Sequence, residues 1–180
     1  MSIQSISGLH HIALEVSDLE RSAKFYRELI GLKITERHEE NEVPAIPVKL
    51  MFMRFGQKSH HDFVLVHNPN KKYRAPTEEE AVNGPPGFHH IAFECVNRDE
   101  WLKMKDKTEE LGIDIVRGPV VHSAYHPDGE GSWGENESFY VFDPDGHRLE
   151  IFCDMASIDE DGTFVDFSGK RIEEAKVLEV

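Results

Sequence analysis

Two histidine doublets and one glutamate are the residues of this chain best suited to hold a metal ion. A nine-residue segment at 8–16 returns at 87–95 with six of its nine positions identical, and each copy contains a His-His pair. The second histidines of these pairs are His11 and His90, and Glu150 lies in a third strand-like stretch. Two imidazoles and one carboxylate form a ligand set that leaves positions of an octahedral divalent metal open, an arrangement suited to Fe(II) chemistry with O2. The same nitrogen and oxygen donors also admit Mn, Ni or Zn.

The repeated segment predicts a β-strand at the start of each half of the chain. Read with a period of two, Ile12, Leu14 and Val16 share one apolar face. His11 begins the opposite face, and His90 does so in the second copy. A repeat of this kind within 180 residues indicates two copies of one supersecondary unit.

The sequence between these strands predicts the order β-α-β-β-β in each half. We expect a first helix capped by Ser17 and ended by Gly31, and a second helix capped by Asn97 and ended by Gly112. Further strands are predicted at 32–37, 48–55, 61–67, 88–96 and 113–117, followed by a long loop at 122–137 and a hairpin at 138–152. If each unit curls into a half-barrel, the two histidines and the glutamate can face a shared cavity.

Composition narrows the classes of function. The chain has 34 acidic and 20 basic residues and a net charge of −14, which disfavours nucleic acid as a partner. No window resembles a membrane span or a signal peptide, and two cysteines are too few for a disulfide framework. We therefore expect a cytoplasmic protein that does not engage a membrane.

Several motifs resemble the vicinal oxygen chelate superfamily over roughly residues 7–153. Residues 9–14, 18–22, 25–26 and 31–32 resemble its opening module, and residues 88–95 with 143–150 resemble its closing module. The resemblance implies an α+β fold of two βαβββ modules that form a curled, incomplete barrel around a metal-binding cavity. It implies module boundaries at 7–68 and 87–154, a linker at 69–86 and a C-terminal tail at 155–180. His11, His90 and Glu150 match the metal-ligand positions.

Within that superfamily the chain is most similar to the type I extradiol dioxygenases, which cleave catechols with Fe(II) and O2. His61, followed by Asp62, matches their acid-base histidine, and Tyr140 matches the tyrosine that hydrogen-bonds the substrate oxygen. The run 117–122 resembles the segment that supplies a second active-site histidine, a role open to His122 or His126. The resemblance implies an aromatic diol as substrate and a homodimer.

Other members of the superfamily stay open as alternatives. Glyoxalase-like isomerases place a ligand or a base on the last strand of the first module, where this chain has the apolar run 63–65. Fosfomycin-resistance thiol transferases share the three metal ligands but have a basic phosphonate pocket, for which Lys49 and Arg54 are candidates. A non-catalytic binder would lack the ligands. The chain has a third His-His pair at 60–61, and the first histidines of the three pairs, His10, His60 and His89, are expected to point away from the site.

Overall fold

The computed structural model describes residues 9–42, 46–56, 59–74, 77, 79–80, 88–130, 135–158 and 164–172. These residues divide into two compact units. The first contains Met1–Glu80 together with Asp143–Gly146, and the second contains Ala81–Phe142 and His147–Val180.

The first unit is a four-stranded sheet with one helix. Its elements are β1 (Ile12–Glu15), α1 (Leu19–Glu28), β2 (Lys33–His38), β3 (Lys49–Arg54) and β4 (Phe63–His67). The sheet order is β1-β4-β3-β2, with β1 parallel to β4 and the other pairs antiparallel. The apolar face predicted for the first strand is confirmed, since Leu14 and Val16 are buried against this unit's core.

Helix α1 begins one residue later than the capping pattern predicted. Asp18, in extended conformation, accepts a hydrogen bond from the backbone N–H of Arg21, so Asp18 and not Ser17 is the N-cap. The Ser17 hydroxyl instead accepts from the Arg21 guanidinium. The predicted stop is confirmed, because Gly31 lies at φ +86°, the left-handed region that favours glycine.

A short turn, Asp143–Gly146, packs against α1 within the first unit. The Tyr26 hydroxyl donates to Asp143 at 2.8 Å, and both side chains are buried. Asp145 accepts from the Ser22 hydroxyl at 3.1 Å and from the Arg21 guanidinium at 2.9 Å. These bonds satisfy carboxylates that would be costly to bury alone.

The second unit repeats the same order of elements. It contains β5 (Ile91–Glu94), α2 (Arg98–Glu110), β6 (Arg117–His122), β7 (Asn136–Phe142) and β8 (Arg148–Asp154). The sheet order is β5-β8-β7-β6, with β5 parallel to β8. Two βαβββ modules of an α+β fold are therefore present, as the sequence predicted.

Helix α2 covers the core face of the second sheet. Asn97 caps it by accepting from the backbone N–H of Glu100 at 3.0 Å, as predicted. Trp101 is buried and donates from its indole nitrogen to the carbonyl of Ile151 at 2.9 Å. Leu111, at the C-cap of this helix, is 41% exposed. In the described part of the chain, no helix is long and apolar enough to span a membrane.

Strand β6 lies later than the sequence indicated. Residues 113–116 are not in a strand, and β6 covers the Gly-Pro pair that reads as a turn. The register between β6 and β7 shifts between Arg117 and Val120, which accommodates the pair as a bulge. Gly118 has φ +93°, and a Cβ there would lie 2.7 Å from the Ser138 carbonyl oxygen. Only glycine fits this close approach of the two strands.

The tail also carries structure that the sequence did not suggest. Ser157–Ile158, Phe164–Val165 and Arg171–Ile172 form β9, β10 and β11 of a small antiparallel sheet in the order β11-β10-β9. Each strand has two residues, too few for a periodic pattern to be recognised.

Candidate metal centre and active site

His90 and Glu150 form the best candidate for a metal centre in the second unit. Ala92 pairs with Glu150 across the parallel strands β5 and β8, and His90 lies one residue before β5. The His90 Nε2 lies 3.1 Å from a Glu150 carboxylate oxygen, and Glu150 is buried. Burial is the largest influence on His90 and outweighs the opposing effect of Glu150, so its pKa is lowered. At neutral pH His90 is therefore uncharged, the form that binds metals.

Ser138 fixes the other oxygen of this carboxylate. Its hydroxyl lies 2.6 Å from Glu150 Oε1 and 2.7 Å from the Asn136 side-chain oxygen. A serine has one proton to donate, and a carboxylate can only accept. The proton is thus assigned to Glu150, and the Asn136 amide is best oriented with its NH2 group toward the serine oxygen.

Tyr140 occupies the centre of the same face. It pairs directly with Glu150 across β7 and β8, and only 6% of its surface is exposed. Burial, the hydrogen bond with Glu150 and the charge of that carboxylate raise the pKa of Tyr140 to about 12. The phenol is therefore protonated at neutral pH and able to donate a hydrogen bond to a ligand oxygen.

His122 contacts the hydroxyl of this tyrosine. Its Nε2 lies 2.9 Å from the Tyr140 oxygen, and its Nδ1 lies 2.5 Å from a Glu130 carboxylate oxygen. Glu130 also accepts from the Arg117 guanidinium at 2.9 and 3.0 Å. Because a carboxylate accepts only, Nδ1 donates to Glu130, and Nε2 shares a hydrogen bond with the Tyr140 hydroxyl.

The two histidines proposed for the second-histidine role have different surroundings. His122 is buried beside Tyr140. His126 instead packs on the ring of Phe167, with centroids 4.4 Å apart, and its Nδ1 accepts from the Asp128 backbone N–H. The contacts favour His122, although its role stays a prediction.

His11 and His61 lie together in the first unit. Their ring centroids are 4.9 Å apart, and the ring of His61 also lies 4.9 Å from that of Phe52. Burial lowers the pKa of His61, and the neighbouring His11, His10 and His60 lower it further against the opposing charge of Asp62. His61 is therefore a neutral imidazole near pH 7.

His10 and His60, the first histidines of their His-His pairs, also lie in this cluster, contrary to the prediction that they point away from the site. The His10 Nδ1 lies 3.0 Å from the His11 Nδ1, and one ring nitrogen from each of His10, His11 and His61 lies within 4.8 Å of the others. His60 contacts His61 in the same way and reaches Glu36 at 3.1 Å. The alternation failed here because His10 and His60 precede the regular strands, where side chains need not alternate.

The donor set in the second unit fits a divalent metal. A neutral imidazole and a carboxylate lie side by side on adjacent strands, and the carboxylate is held from behind by Ser138. Ligating carboxylates are commonly fixed by such outer hydrogen bonds. The fold thus brings together His90, Glu150, Tyr140 and His122 in one unit and His11 with His61 in the other. The shared triad of His11, His90 and Glu150 stays a prediction.

Three side chains of the site were missed by the sequence reasoning: Ser138, Glu130 and Arg148. The Arg148 guanidinium lies 4.3 Å from the Tyr140 ring centroid, and that of Arg117 lies 5.6 Å from it. Arg148 and Ser138 each precede a predicted site residue by two positions in a strand. Strand alternation alone could therefore have found both. The two proposed basic candidates, Lys49 and Arg54, lie in β3 of the first unit.

Comparisons with known proteins identify the family. The Glyoxalase/Bleomycin resistance protein/Dioxygenase superfamily matches residues 8–151. The chain is 25% identical over 146 residues to "Glutathione transferase FosA" of Serratia marcescens, covering 81% of this chain and 80% of the relative. It is 23% identical over 143 residues to "Metapyrocatechase" of Pseudomonas sp. (strain CF600), covering 79% of this chain but 38% of that protein.

A solved structure shares the fold. A mutant of the fosfomycin resistance protein FosX from Listeria monocytogenes, complexed with Mn(II) and 1S,2S-dihydroxypropylphosphonic acid, aligns with a TM-score of 0.53 at 19% identity. The alignment covers 81% of this chain and 91% of that chain. The repeated modules, the matched residues and these relatives agree. The chain belongs to the Glyoxalase/Bleomycin resistance protein/Dioxygenase superfamily.

Proposed function

We propose that this protein is an Fe(II)-dependent extradiol-type dioxygenase that cleaves a catechol-like aromatic diol. The observation that carries the proposal is the Tyr140 hydroxyl, buried beside Glu150 and 2.9 Å from His122 Nε2. A protonated tyrosine next to a metal-ligand candidate can donate to an oxygen that develops negative charge there. A histidine in contact with it adds a group that can move a proton.

The proposed metal ligands are His11, His90 and Glu150. His90 and Glu150 come from adjacent strands of the second unit, and His11 is supplied by the first unit. Bound Fe(II) would acidify the hydroxyls of a coordinated diol and hold the diol next to O2. Two imidazoles and one carboxylate leave open coordination positions for both reactants. Such an open site is typical of Fe(II) oxygenases and differs from a structural metal site, in which protein ligands fill every position.

His61 is the proposed base for the diol. Its lowered pKa leaves the imidazole neutral near pH 7, so it can accept a phenolic proton and return it later. The pKa of about 12 keeps the Tyr140 phenol protonated, and on substrate binding this proton would turn from His122 Nε2 to the substrate oxygen. His122, held by Glu130, presents Nε2 to the same region. The sum of the reaction is diol plus O2 giving a ring-opened acid with both oxygen atoms retained.

Oxygen consumption tests this proposal directly. Anaerobically purified protein, loaded with Fe(II), is mixed with a panel of catechols in an oxygen electrode while the absorbance of the yellow ring-fission product is followed. We expect one O2 to be consumed per catechol, and Tyr140→Phe to lose turnover while it retains its iron. Absence of O2 uptake across the panel by iron-loaded protein would contradict it.

A metal-dependent thiol transfer is the second candidate. It is favoured by the similarity to FosA, which extends over 80% of that relative, whereas the metapyrocatechase is matched over 38% of its length. Thiol addition to an epoxide consumes no O2, so the two candidates separate in one experiment. Mn(II)-loaded protein that conjugates glutathione to fosfomycin under nitrogen, without catechol turnover in air, would establish the second candidate.

We further propose a homodimer that works in the cytoplasm. The family resemblance supports pairing of modules between chains. The two cysteines, Cys95 and Cys153, are not joined as a disulfide, which supports a reducing compartment. Light scattering after size-exclusion chromatography measures the first point. A mass of one chain, 20.6 kDa, would contradict it.

A further inference from the structure

Arg148 is the basic residue nearest the centre of the second unit's site. It lies in β8 two residues before Glu150, so both side chains project from the same face of the sheet. Its guanidinium lies 4.3 Å from the centroid of the Tyr140 ring, and the side chain is half-buried. A flat guanidinium over an aromatic ring is held in place by the negative face of that ring. Arg148 is therefore ordered beside Tyr140.

This guanidinium has no carboxylate partner within 4 Å among the residues that the structure describes. Two other arginines of the unit are paired, Arg117 with Glu130 and Arg98 with Glu137. The absence stands out in a chain with 34 acidic and 20 basic residues, where partners are plentiful. Partial burial of an unpaired charge is costly and is offset when an anion binds.

The position of Arg148 indicates where an anionic group of a ligand would lie relative to the rest of the site. The Tyr140 hydroxyl marks the reacting end, next to Glu150 and His122. The guanidinium of Arg148 lies over the ring of Tyr140, 4.3 Å from the ring centroid. A ligand that placed its diol at the hydroxyl and ran along the tyrosine would bring its far end to Arg148.

We propose that Arg148 is an anion-binding residue of the substrate pocket and that the aromatic diol carries a carboxylate. This inference rests on the proposed function for the diol, but the anion site itself does not. The planar fork of arginine binds a carboxylate through two parallel hydrogen bonds, which a neutral substituent cannot reproduce. A net charge of −14 repels anionic ligands in general, so a local cation is what such a substrate requires.

Equilibrium binding of benzoate and benzamide tests the anion site without turnover. The two probes share shape and differ in charge, and isothermal titration at pH 7 measures both on the metal-loaded protein. We expect benzoate to bind on the order of ten-fold more tightly than benzamide, as for a hydrogen-bonded pair with a charged group. Arg148→Gln should abolish that preference, and Arg148→Lys should keep part of it because the charge is retained.

Arg27→Gln is the matched control, since it removes one positive charge from an exposed position of α1. It should leave the preference unchanged. A preference that persists in Arg148→Gln, for example through binding of benzoate to the metal, would overturn the inference, as would equal affinities in the parent. Thermal melts show whether each variant is folded. If Arg148→Gln is unfolded, the comparison of Arg148→Lys with the parent is the test.

Turnover separates the inference from the proposed function. With a catechol that carries a carboxymethyl group and its matching carboxamide, the parent should favour the acid in kcat/KM, and Arg148→Gln should lose this preference mainly through KM. Selectivity for benzoate without any catechol turnover would refute the dioxygenase and leave the anion site standing. Turnover of both catechols alike would leave the dioxygenase and refute the anion site.

Discussion

Removal of the Ser138 hydroxyl should weaken metal binding although Ser138 is not itself a proposed ligand. Its oxygen lies 2.6 Å from Glu150 Oε1, while the other carboxylate oxygen lies 3.1 Å from His90 Nε2. The hydrogen bond therefore fixes the carboxylate so that its free oxygen is directed to the imidazole. In Ser138→Ala this constraint is lost, and Glu150 must be ordered when the metal binds.

The magnitude follows from the strength of the bond. A hydrogen bond to a charged group contributes about 1.5–3 kcal/mol, and about 1.4 kcal/mol corresponds to a ten-fold change in affinity. The predicted loss of metal affinity is thus roughly ten- to a hundred-fold, the range known for outer hydrogen bonds of metal ligands. Anaerobic competition between the protein and a colorimetric Fe(II) chelator measures it.

Ser123→Ala is the matched control for this variant. Ser123 is also buried and donates to a buried carboxylate, Glu135 Oε1, at 2.6 Å, but it does not touch Glu150. Both variants should lower the free energy of unfolding, and only Ser138→Ala should lower the metal affinity. An unchanged metal affinity in Ser138→Ala, or an equal loss in both variants, would show that Ser138 does not hold Glu150 for the metal.

Three further predictions concern other parts of the chain. His61→Gln should lower kcat by about 10²–10⁴ with the bound iron unchanged, since it removes the proposed base; steady-state rates with metal analysis measure this, and an unchanged kcat would exclude the role. Asp145→Asn should destabilise the protein at neutral pH. Burial alone would raise the pKa of Asp145. Hydrogen bonds from Ser17 and Ser22 and the charge of Arg21 outweigh burial, so the pKa lies below its ordinary value. A carboxyl whose pKa is depressed in the folded state stabilises the protein at pH values above its unfolded-state pKa. The difference in unfolding free energy between parent and variant, measured in urea, should therefore shrink as the pH falls through the folded-state pKa of Asp145. A difference that does not depend on pH would contradict this explanation. Trp101→Phe should cost about 1–3 kcal/mol in urea unfolding, because the buried Ile151 carbonyl loses its indole donor at 2.9 Å; no loss would show that the bond is dispensable.

The sequence predicted the repeated module because its signals are local and periodic. Alternation in 12–16 and 91–95 indicated the first strand of each unit, and Asn97 and Gly112 indicated the bounds of α2 within a residue or two. Strand β6 was displaced because Gly118 reads as a turn, whereas its close approach to Ser138 depends on a neighbouring strand. Such contacts between distant residues leave no periodic pattern in the chain.

The sequence predicted the candidate metal ligands and catalytic side chains of the site, but not the residues that hold them in place. His90, Glu150, Tyr140 and His122 were named from motifs, and the structure brings them together in the second unit. Glu130 could not be found, because the contact of this loop residue with His122 depends on how the segment after β6 folds back.

Metal content of the purified protein tests directly whether His11, His90 and Glu150 bind a metal ion. The parent, His11→Ala, His90→Ala and Glu150→Ala are purified without O2 and their metals quantified, with His67→Ala as control because its Nδ1 contacts the Val16 carbonyl outside the site. We expect one iron per chain in the parent and the control, and little in the three ligand variants. A parent that binds no divalent metal after reconstitution, or ligand variants that keep their iron, would contradict it.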